Sequence, residues 1–360
     1  MPADSKSSPG NYFEDLTTGL QLTHATPRTV TTGDQSLYLA LTASRYPLFC
    51  DAPFAQSLGF QRELINDLLT FHIVFGNTVP DISLNAIANL GYSDLRYGQP
   101  VYPGDTITSH TTILGQRESS RGDTGVTWVR TTGLNQRQEE VMTFIRWVLM
   151  NKRHPQTKLG IDTAPTTSDS VAPTDLLIPN ELNLTNFNPA ITGGRWYWGD
   201  YEPGERIHHI EGVAIEEAES QMAARLYQNT ARAHFNAHAL KDSRFGKRVI
   251  YGGHVISVAR ALSYNGLENA IRILAFNSGT HSNPTFAGDT LFAWTDVIER
   301  IDLGRPDAAA LRLRLIATKN VDPNTEDQPL MTTDGTGRER YHHNVVLDLD
   351  YTVLMPTKPA

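Results

Sequence analysis

The chain contains 360 residues, 39% of them hydrophobic, which is long enough for two domains of ordinary size or one large domain with a sizeable core. Its 31 basic and 39 acidic residues are interspersed and give a net charge of -8, a balance that argues against a nucleic-acid partner. The single cysteine, Cys50, excludes an internal disulfide and a thiolate metal cluster, and no apolar run is long enough to span a membrane. We therefore expect a cytoplasmic protein with no membrane contact, no metal and no redox cofactor, because a glycine-rich dinucleotide loop is also missing.

The order of residues indicates that the chain is an internal duplication. Landmarks recur at a near-constant spacing: 185 residues separate Gly19 from Gly204 and Phe49 from His234, and 184 separate the turns that contain Asp105 and Asp289. Chance would scatter these offsets, so we predict two copies of one unit. The spacing grows to 205 between Leu149 and Leu354. The second copy therefore carries about 20 extra residues, which we place in the polar run at 320–344.

Each copy has the same predicted elements in the same order. A short strand comes first, at 28–31 and 211–215, and a long apolar helix follows, at 64–75 and 252–262. Three alternating or β-branched strands complete each copy, at 106–114, 126–133 and 141–149, and at 291–298, 310–318 and 345–354. One helix with a run of antiparallel strands predicts an α+β fold in which a sheet wraps round a central helix. We expect domains at 1–150 and 196–360, joined by a Pro-, Thr- and Ser-rich linker at 151–195 that crosses the surface.

Candidate catalytic groups are concentrated at residues 225–261, in the second copy. His234 suits proton transfer near neutral pH, and Asn229 lies five residues before it. Gly252 and Gly253 stand at the predicted start of the apolar helix, where backbone N–H groups are open to an anion. His234 is therefore a candidate general acid or base, and the Gly252 N–H is a candidate donor to a developing negative charge.

The segments NTARAH, FGKRVIYGGH and SNPTFAGDT resemble the MaoC-like or (R)-specific enoyl-CoA hydratases. Their signature contains an Asp, an Asn and a His, followed by a Phe-Gly turn and a helix that begins at a glycine. In this chain His234 stands at the His position, Asn229 at the Asp position, Ala231 at the Asn position and Gly252 at the helix glycine. The resemblance implies a double hotdog fold, an acyl-CoA thioester substrate, a homodimer, and a hydro-lyase that adds or removes water across the double bond of a 2-enoyl-CoA.

Asn229 departs from the family pattern because an amide cannot accept a proton as a carboxylate does. Three alternatives follow. His234 transfers the proton alone while Asn229 positions the water; or a carboxylate from Glu216, Glu217, Glu219 or Asp242 replaces the missing Asp; or the carboxylate of the substrate takes part. The sequence is compatible with all three alternatives.

Several further residues are candidates for substrate binding. Arg232 could hold a free carboxylate on the acyl group, since a guanidinium matches a carboxylate with two parallel hydrogen bonds. Tyr251 and His254 flank Gly252 and are predicted to line the pocket. The phosphates of coenzyme A are assigned to Arg225, Lys247 and Arg248. Asp105 and Asp289 are predicted to cap their own turns.

The first copy lacks a general base at the equivalent positions, which are Ser44, Tyr46, Phe49 and Asp67. We expect it to be catalytically degenerate and to form the opposite wall of the pocket. Alternatives to a hydratase for a charged acyl group are a broader enoyl-CoA hydratase, a hotdog thioesterase and a non-catalytic acyl-CoA binder.

Overall fold

The computed structural model describes residues 6–358, which form one continuous antiparallel sheet of 11 strands around two central helices. The strands are β1 (Gln21–Thr23), β2 (Arg28–Thr29), β3 (Ala86–Tyr97), β4 (Thr106–Glu118), β5 (Thr124–Leu134), β6 (Glu140–Asn151), β7 (Arg206–Ala214), β8 (Arg272–Thr280), β9 (Thr290–Ile301), β10 (Ala308–Lys319) and β13 (Val345–Pro356). Their order is β1-β4-β5-β6-β3-β8-β13-β10-β9-β7, and β2 also pairs with β4. The order is symmetric: each strand of the first copy, counted from one end of the sheet, has the same place as its counterpart in the second copy, counted from the other end.

The helices are α1 (Thr32–Thr42), α2 (Ala52–Ser57), α3 (Asp67–Asn77), α4 (Pro189–Thr192), α5 (Glu217–Leu226), α6 (Arg232–Phe235), α7 (Ala237–Leu240) and α8 (Gly252–Leu262). Helices α3 and α8 are the central ones, as the long apolar runs predict. Every residue of α3 is buried, and α8 is buried from Gly253 to Arg260. Most side chains of this 11-residue helix are apolar, and a helix that is buried on all sides is enclosed by other elements. Within residues 6–358, no helix has both the length and the apolar character to cross a bilayer.

The two copies meet along an approximate two-fold axis. Ser93 of β3 pairs with Ser278 of β8, and these residues are 185 apart, the same spacing that the sequence repeats. Beneath that junction, His72 Nε2 of α3 contacts Ser257 Oγ of α8 at 2.7 Å, again 185 residues apart. Residues related by the repeat therefore touch each other, which confirms the duplication.

The paired turns confirm the predicted role of two aspartates. Asp105 accepts a hydrogen bond from the Tyr102 N–H at 2.8 Å, and Asp289 accepts one from the Phe286 N–H at 2.8 Å. Each carboxylate closes its own turn at the start of a long strand. The aspartates are structural in both copies and lie outside the candidate chemistry.

The structure differs from the predicted elements in several places. Strands β1, β3 and β8 were not predicted, although β3 and β8 join the two copies. The linker also packs more deeply than expected, because Leu176, Leu182 and Leu184 belong to the main core instead of lying on the surface. The predicted extra segment at 320–344 holds the hairpin β11 (Met331–Thr333) and β12 (Glu339–Tyr341). The domain boundaries stay a prediction.

Candidate functional site

The site is built on a short turn between α5 and α6. The Asn229 N–H donates to the Ala224 carbonyl at 2.9 Å, and Asn229 Oδ1 accepts from the Ala231 N–H at 3.2 Å. Asparagine closes such local turns readily, so this side chain sets the direction in which α6 begins. Asn229 is buried, and it is not among the residues that line the cavity beside His234. Its proposed contact with water stays a prediction.

His234 is held in one orientation by the backbone. Its Nδ1 lies 2.8 Å from the Val249 carbonyl oxygen, which can only accept, so Nδ1 carries the hydrogen. The neutral ring therefore leaves Nε2 as a proton acceptor, the form that a general base needs. Burial lowers the pKa of His234 below its ordinary value of 6.5, and the bond to Val249 opposes that effect in part. The imidazole is neutral at neutral pH.

A small cavity of about 20 Å³ lies next to His234, which is room for roughly one water molecule. Its lining residues are Glu217, Ser220, His234, Arg248, Val249, Ile250, Tyr251 and Ala287. Glu217 is thus the one member of the candidate acidic set that lies at this cavity within the described chain. Its Oε1 accepts a hydrogen bond from Arg248 Nη2 at 2.7 Å.

The start of α8 forms another wall of the site. Tyr251 is the N-cap and Gly252 the first helical residue, so the N–H groups of Gly252 and Gly253 have no acceptor inside the helix, whereas the His254 N–H donates to the Tyr251 carbonyl at 2.9 Å. The ring of His281 packs against Gly252 so closely that a Cβ added there would lie 2.5 Å from His281 Cε1. Glycine is required at this position because any side chain would displace that ring.

His281 was not predicted from the sequence, although it belongs to the site. It follows the last residue of β8, and its Nε2 lies 3.2 Å from the Tyr92 hydroxyl, which the first copy supplies. Burial lowers the pKa of His281 to about 4, and the nearby His234 adds to the effect. The only signal in the sequence was a lone histidine before the SNPTFAGDT turn, and a lone histidine by default indicates a structural role.

Tyr251 and His254 take part in an aromatic cluster between the copies. The Tyr251 ring centroid lies 5.5 Å from those of His234, His72 and Phe75. The Tyr251 hydroxyl is buried and has no hydrogen-bond partner among the described residues. His254 is also buried, and its Nδ1 lies 3.3 Å from the Tyr227 hydroxyl.

The predicted cationic residues are distributed over different surroundings. Arg225 and Arg232 are exposed, and neither lines the cavity beside His234. The Lys247 Nζ lies over the ring of Phe286 at 4.2 Å, at the exposed side of the site. Arg248 is the cation that reaches the cavity, where it pairs with Glu217.

The equivalent place in the first copy also forms a cavity, but it contains an ion pair in place of a base. Phe49 stands where His234 stands in the second copy, and Asp67 stands at the helix start. Asp67 accepts from Arg272 Nη2 and from the Ile273 N–H, both at 2.9 Å. A carboxylate here would repel an oxyanion. That the first copy is catalytically degenerate stays a prediction.

Comparison with known proteins gives one consistent result. The family model described as mesaconyl-CoA hydratase matches residues 3–336. The chain is 51% identical to a β-methylmalyl-CoA dehydratase of Chloroflexus aurantiacus, over 98% of this chain and 99% of the relative.

Two solved structures are also similar. A MaoC domain protein dehydratase of Chloroflexus aurantiacus superposes with a TM-score of 0.93 at 50% identity, covering 99% of this chain and 100% of that one. A protein of Mycobacterium tuberculosis described as a double hotdog fold superposes with a TM-score of 0.78 at 23% identity, covering 96% and 99%. The fold of this chain is a double hotdog, as the sequence predicts.

Proposed function

The chain belongs to the mesaconyl-CoA hydratase family, and from this premise we propose that it interconverts 2-methylfumaryl-CoA (mesaconyl-CoA) and β-methylmalyl-CoA by adding or removing water. The observation that carries the proposal is the position of His234. Its Nδ1 is bonded to the Val249 carbonyl, which leaves Nε2 as the acceptor, and the residue lines a cavity for about one water molecule beside Tyr251, the N-cap of α8.

In the hydration direction, the water in this cavity attacks the carbon that is β to the thioester. His234 Nε2 accepts one proton from the water as its oxygen bonds to that carbon. The electron pair of the double bond moves toward the thioester oxygen. The protonated His234 then returns its proton to the α carbon as the thioester carbonyl forms again. The sum is the addition of one water molecule across the double bond, with no oxidation or reduction.

The thioester oxygen is proposed to lie at the first turn of α8. The N–H groups of Gly252 and Gly253 are open at that position, and the helix dipole favours the negative charge that develops on the oxygen. No metal is required by this chemistry, and the absence of a cofactor stays a prediction.

Glu217 is the best candidate for the role of the missing aspartate. It lines the same cavity as His234, whereas Asn229 does not. The hydrogen bond from Arg248 Nη2 sets the direction of this carboxylate. In this arrangement His234 accepts the proton of the water, and Glu217 orients that water from the other side.

Coenzyme A is proposed to leave the site past α6 and the segment before α8. Lys247 and Arg225 are exposed there and carry no carboxylate partner in the described residues, so they are available for phosphate. A cytoplasmic location and a homodimer remain predictions from the sequence.

The experiment that tests this function is a turnover assay with the purified chain. Mesaconyl-CoA is added, and the loss of the conjugated thioester absorbance is followed together with free thiol. Hydration without release of thiol is the expected result. Release of thiol would indicate a thioesterase, and binding without turnover would indicate an acyl-CoA binder.

A further inference from the structure

Arg146 of β6 is an unusual residue for a protein interior. It is wholly buried, and it forms no ion pair with any carboxylate in residues 6–358. Its Nη1 donates to Ser83 Oγ at 3.2 Å and its Nη2 to Thr78 Oγ1 at 2.9 Å, while its Nε has no partner. A buried cation without an anion is costly, so a structural role alone does not explain it.

The surroundings of Arg146 connect it to the candidate site. Its guanidinium lies over the Phe75 ring at 4.1 Å from the centroid, and Phe75 contacts Tyr251, which lines the cavity beside His234. Tyr92 of β3 stands directly opposite Arg146 in the pairing of β3 with β6, and the charge of Arg146 also acts on the Tyr251 hydroxyl. The Tyr92 hydroxyl in turn contacts His281 Nε2 at 3.2 Å.

Two of the buried polar groups in these surroundings have no hydrogen-bond partner among the described residues. They are Arg146 Nε, from the first copy, and the Tyr251 hydroxyl, from the second. Both need an acceptor, and the cation requires that the acceptor be negative. A carboxylate on the acyl group, attached to the carbon that the water attacks, satisfies both groups at once.

We infer that Arg146, together with the Tyr251 hydroxyl, binds the free carboxylate of the acyl group and so selects dicarboxylic acyl chains. The inference rests on the proposed function, because it assigns one end of the same substrate. It moves the role first assigned to Arg232 to a buried arginine of the first copy. The first copy then contributes to specificity although it lacks a general base.

The chain offers a matched control for this role. Arg260 of α8 is also buried and stacks on an aromatic ring, that of Tyr46, at 3.8 Å. It lines the cavity of the first copy, and its Nη1 donates to Ser263 Oγ at 2.8 Å. Arg260 has the same chemistry as Arg146 and is also buried, but it lines the cavity of the first copy.

The test measures affinity for two ligands in a background without turnover. In the His234→Ala chain, mesaconyl-CoA and crotonyl-CoA, which lacks the carboxylate, are titrated by calorimetry. Adding Arg146→Met should lower the affinity for mesaconyl-CoA by roughly 100-fold and the affinity for crotonyl-CoA by less than about threefold. Arg260→Met and the surface change Arg232→Met should leave the ratio of the two affinities unchanged.

Thermal unfolding without ligand separates recognition from a structural role. Removal of an unpaired buried cation should leave Tm unchanged or raise it. A lower Tm with equal losses for both ligands, or a loss of discrimination in Arg260→Met or Arg232→Met instead, would overturn the inference. If Arg146→Met does not fold, the test uses Tyr251→Phe, which should lower the affinity for mesaconyl-CoA more than the affinity for crotonyl-CoA. Failure of the proposed function is distinguishable, because it appears as no hydration by the unmodified chain.

Discussion

At the scale of single residues, the carbonyl of Val249 decides what His234 can do. It binds Nδ1 and leaves Nε2 free, while burial keeps the ring neutral. The sequence predicted the residue from its position in NTARAH, but it could not predict the bond that selects the tautomer, because the acceptor lies 15 residues away. His281, Tyr92 and Arg146 were missed for the same reason, since their roles arise from contacts between distant segments.

The lowered pKa of His234 predicts a shifted pH profile. The neutral imidazole is the active base in hydration, and its folded pKa lies below 6.5, so activity should persist as the pH falls through 6.5. Measuring kcat/KM for mesaconyl-CoA from pH 4.5 to 8 should give an acidic limb below pH 6.5. A fall in kcat/KM that begins at or above pH 6.5 would show that burial does not lower the pKa of His234 in the free protein.

The role of Glu217 can be examined against a neighbour on the same helix. Glu217→Gln keeps the shape of the side chain but removes the charge, and kcat should fall by roughly 10- to 100-fold if the carboxylate orients the water. Glu219→Gln changes an exposed carboxylate of α5 and serves as the control. Equal rates in both variants would show that His234 works without this carboxylate.

At the scale of elements, the sequence predicted α8 over its full length and α3 to within a few residues, because both are long and apolar. Strands β3 and β8 were missed. β8 is buried on nearly all its length, so its residues show no alternation of apolar and polar side chains. β3 carries several bulges in its pairing with β6, and these interrupt the period of two.

The first turn of α8 provides a test of packing at the site. Gly252→Ala retains the N–H but places a Cβ 2.5 Å from the His281 ring, so the ring must move. We expect kcat to fall by roughly 100-fold with the fold intact, since a displacement of about 1 Å is enough for such a loss. In the His281→Ala background the same change should cost little, because the obstructing ring is gone. If Gly252→Ala lowered kcat equally with and without the His281 ring, the contact between the new Cβ and that ring would not be the cause of the loss.

At the scale of the whole molecule, the duplication was predictable because its spacing survives in both copies. The composite nature of the site was not, since a repeat does not reveal which copy supplies which contact. Tyr92 and Arg146 come from the copy that was expected to be silent. The β3–β8 junction already joins the two copies inside one chain, so a homodimer would have to use another surface.

Buried histidines predict how stability depends on pH. Burial lowers the pKa of His209 and of His254 to about 4, so the unfolded chain binds more protons than the folded one below pH 6.5. Their contribution to the free energy of unfolding is fully present above pH 6.5. It declines as the pH falls toward 4, and at pH 5 the loss is about 2 kcal/mol for each residue. Urea unfolding at pH 7.5 and pH 5 measures this difference. His209→Gln should reduce it, and an unchanged difference would contradict the account.

A comparison of His234→Ala with His238→Ala in the hydration of mesaconyl-CoA shows whether His234 is the general base. His238 is an exposed histidine four residues along the chain and lies outside the cavity lining. We predict that His234→Ala lowers kcat by about 100- to 10,000-fold while mesaconyl-CoA still binds, and that His238→Ala retains the full rate. Hydration by His234→Ala at the rate of the unmodified chain would contradict the account.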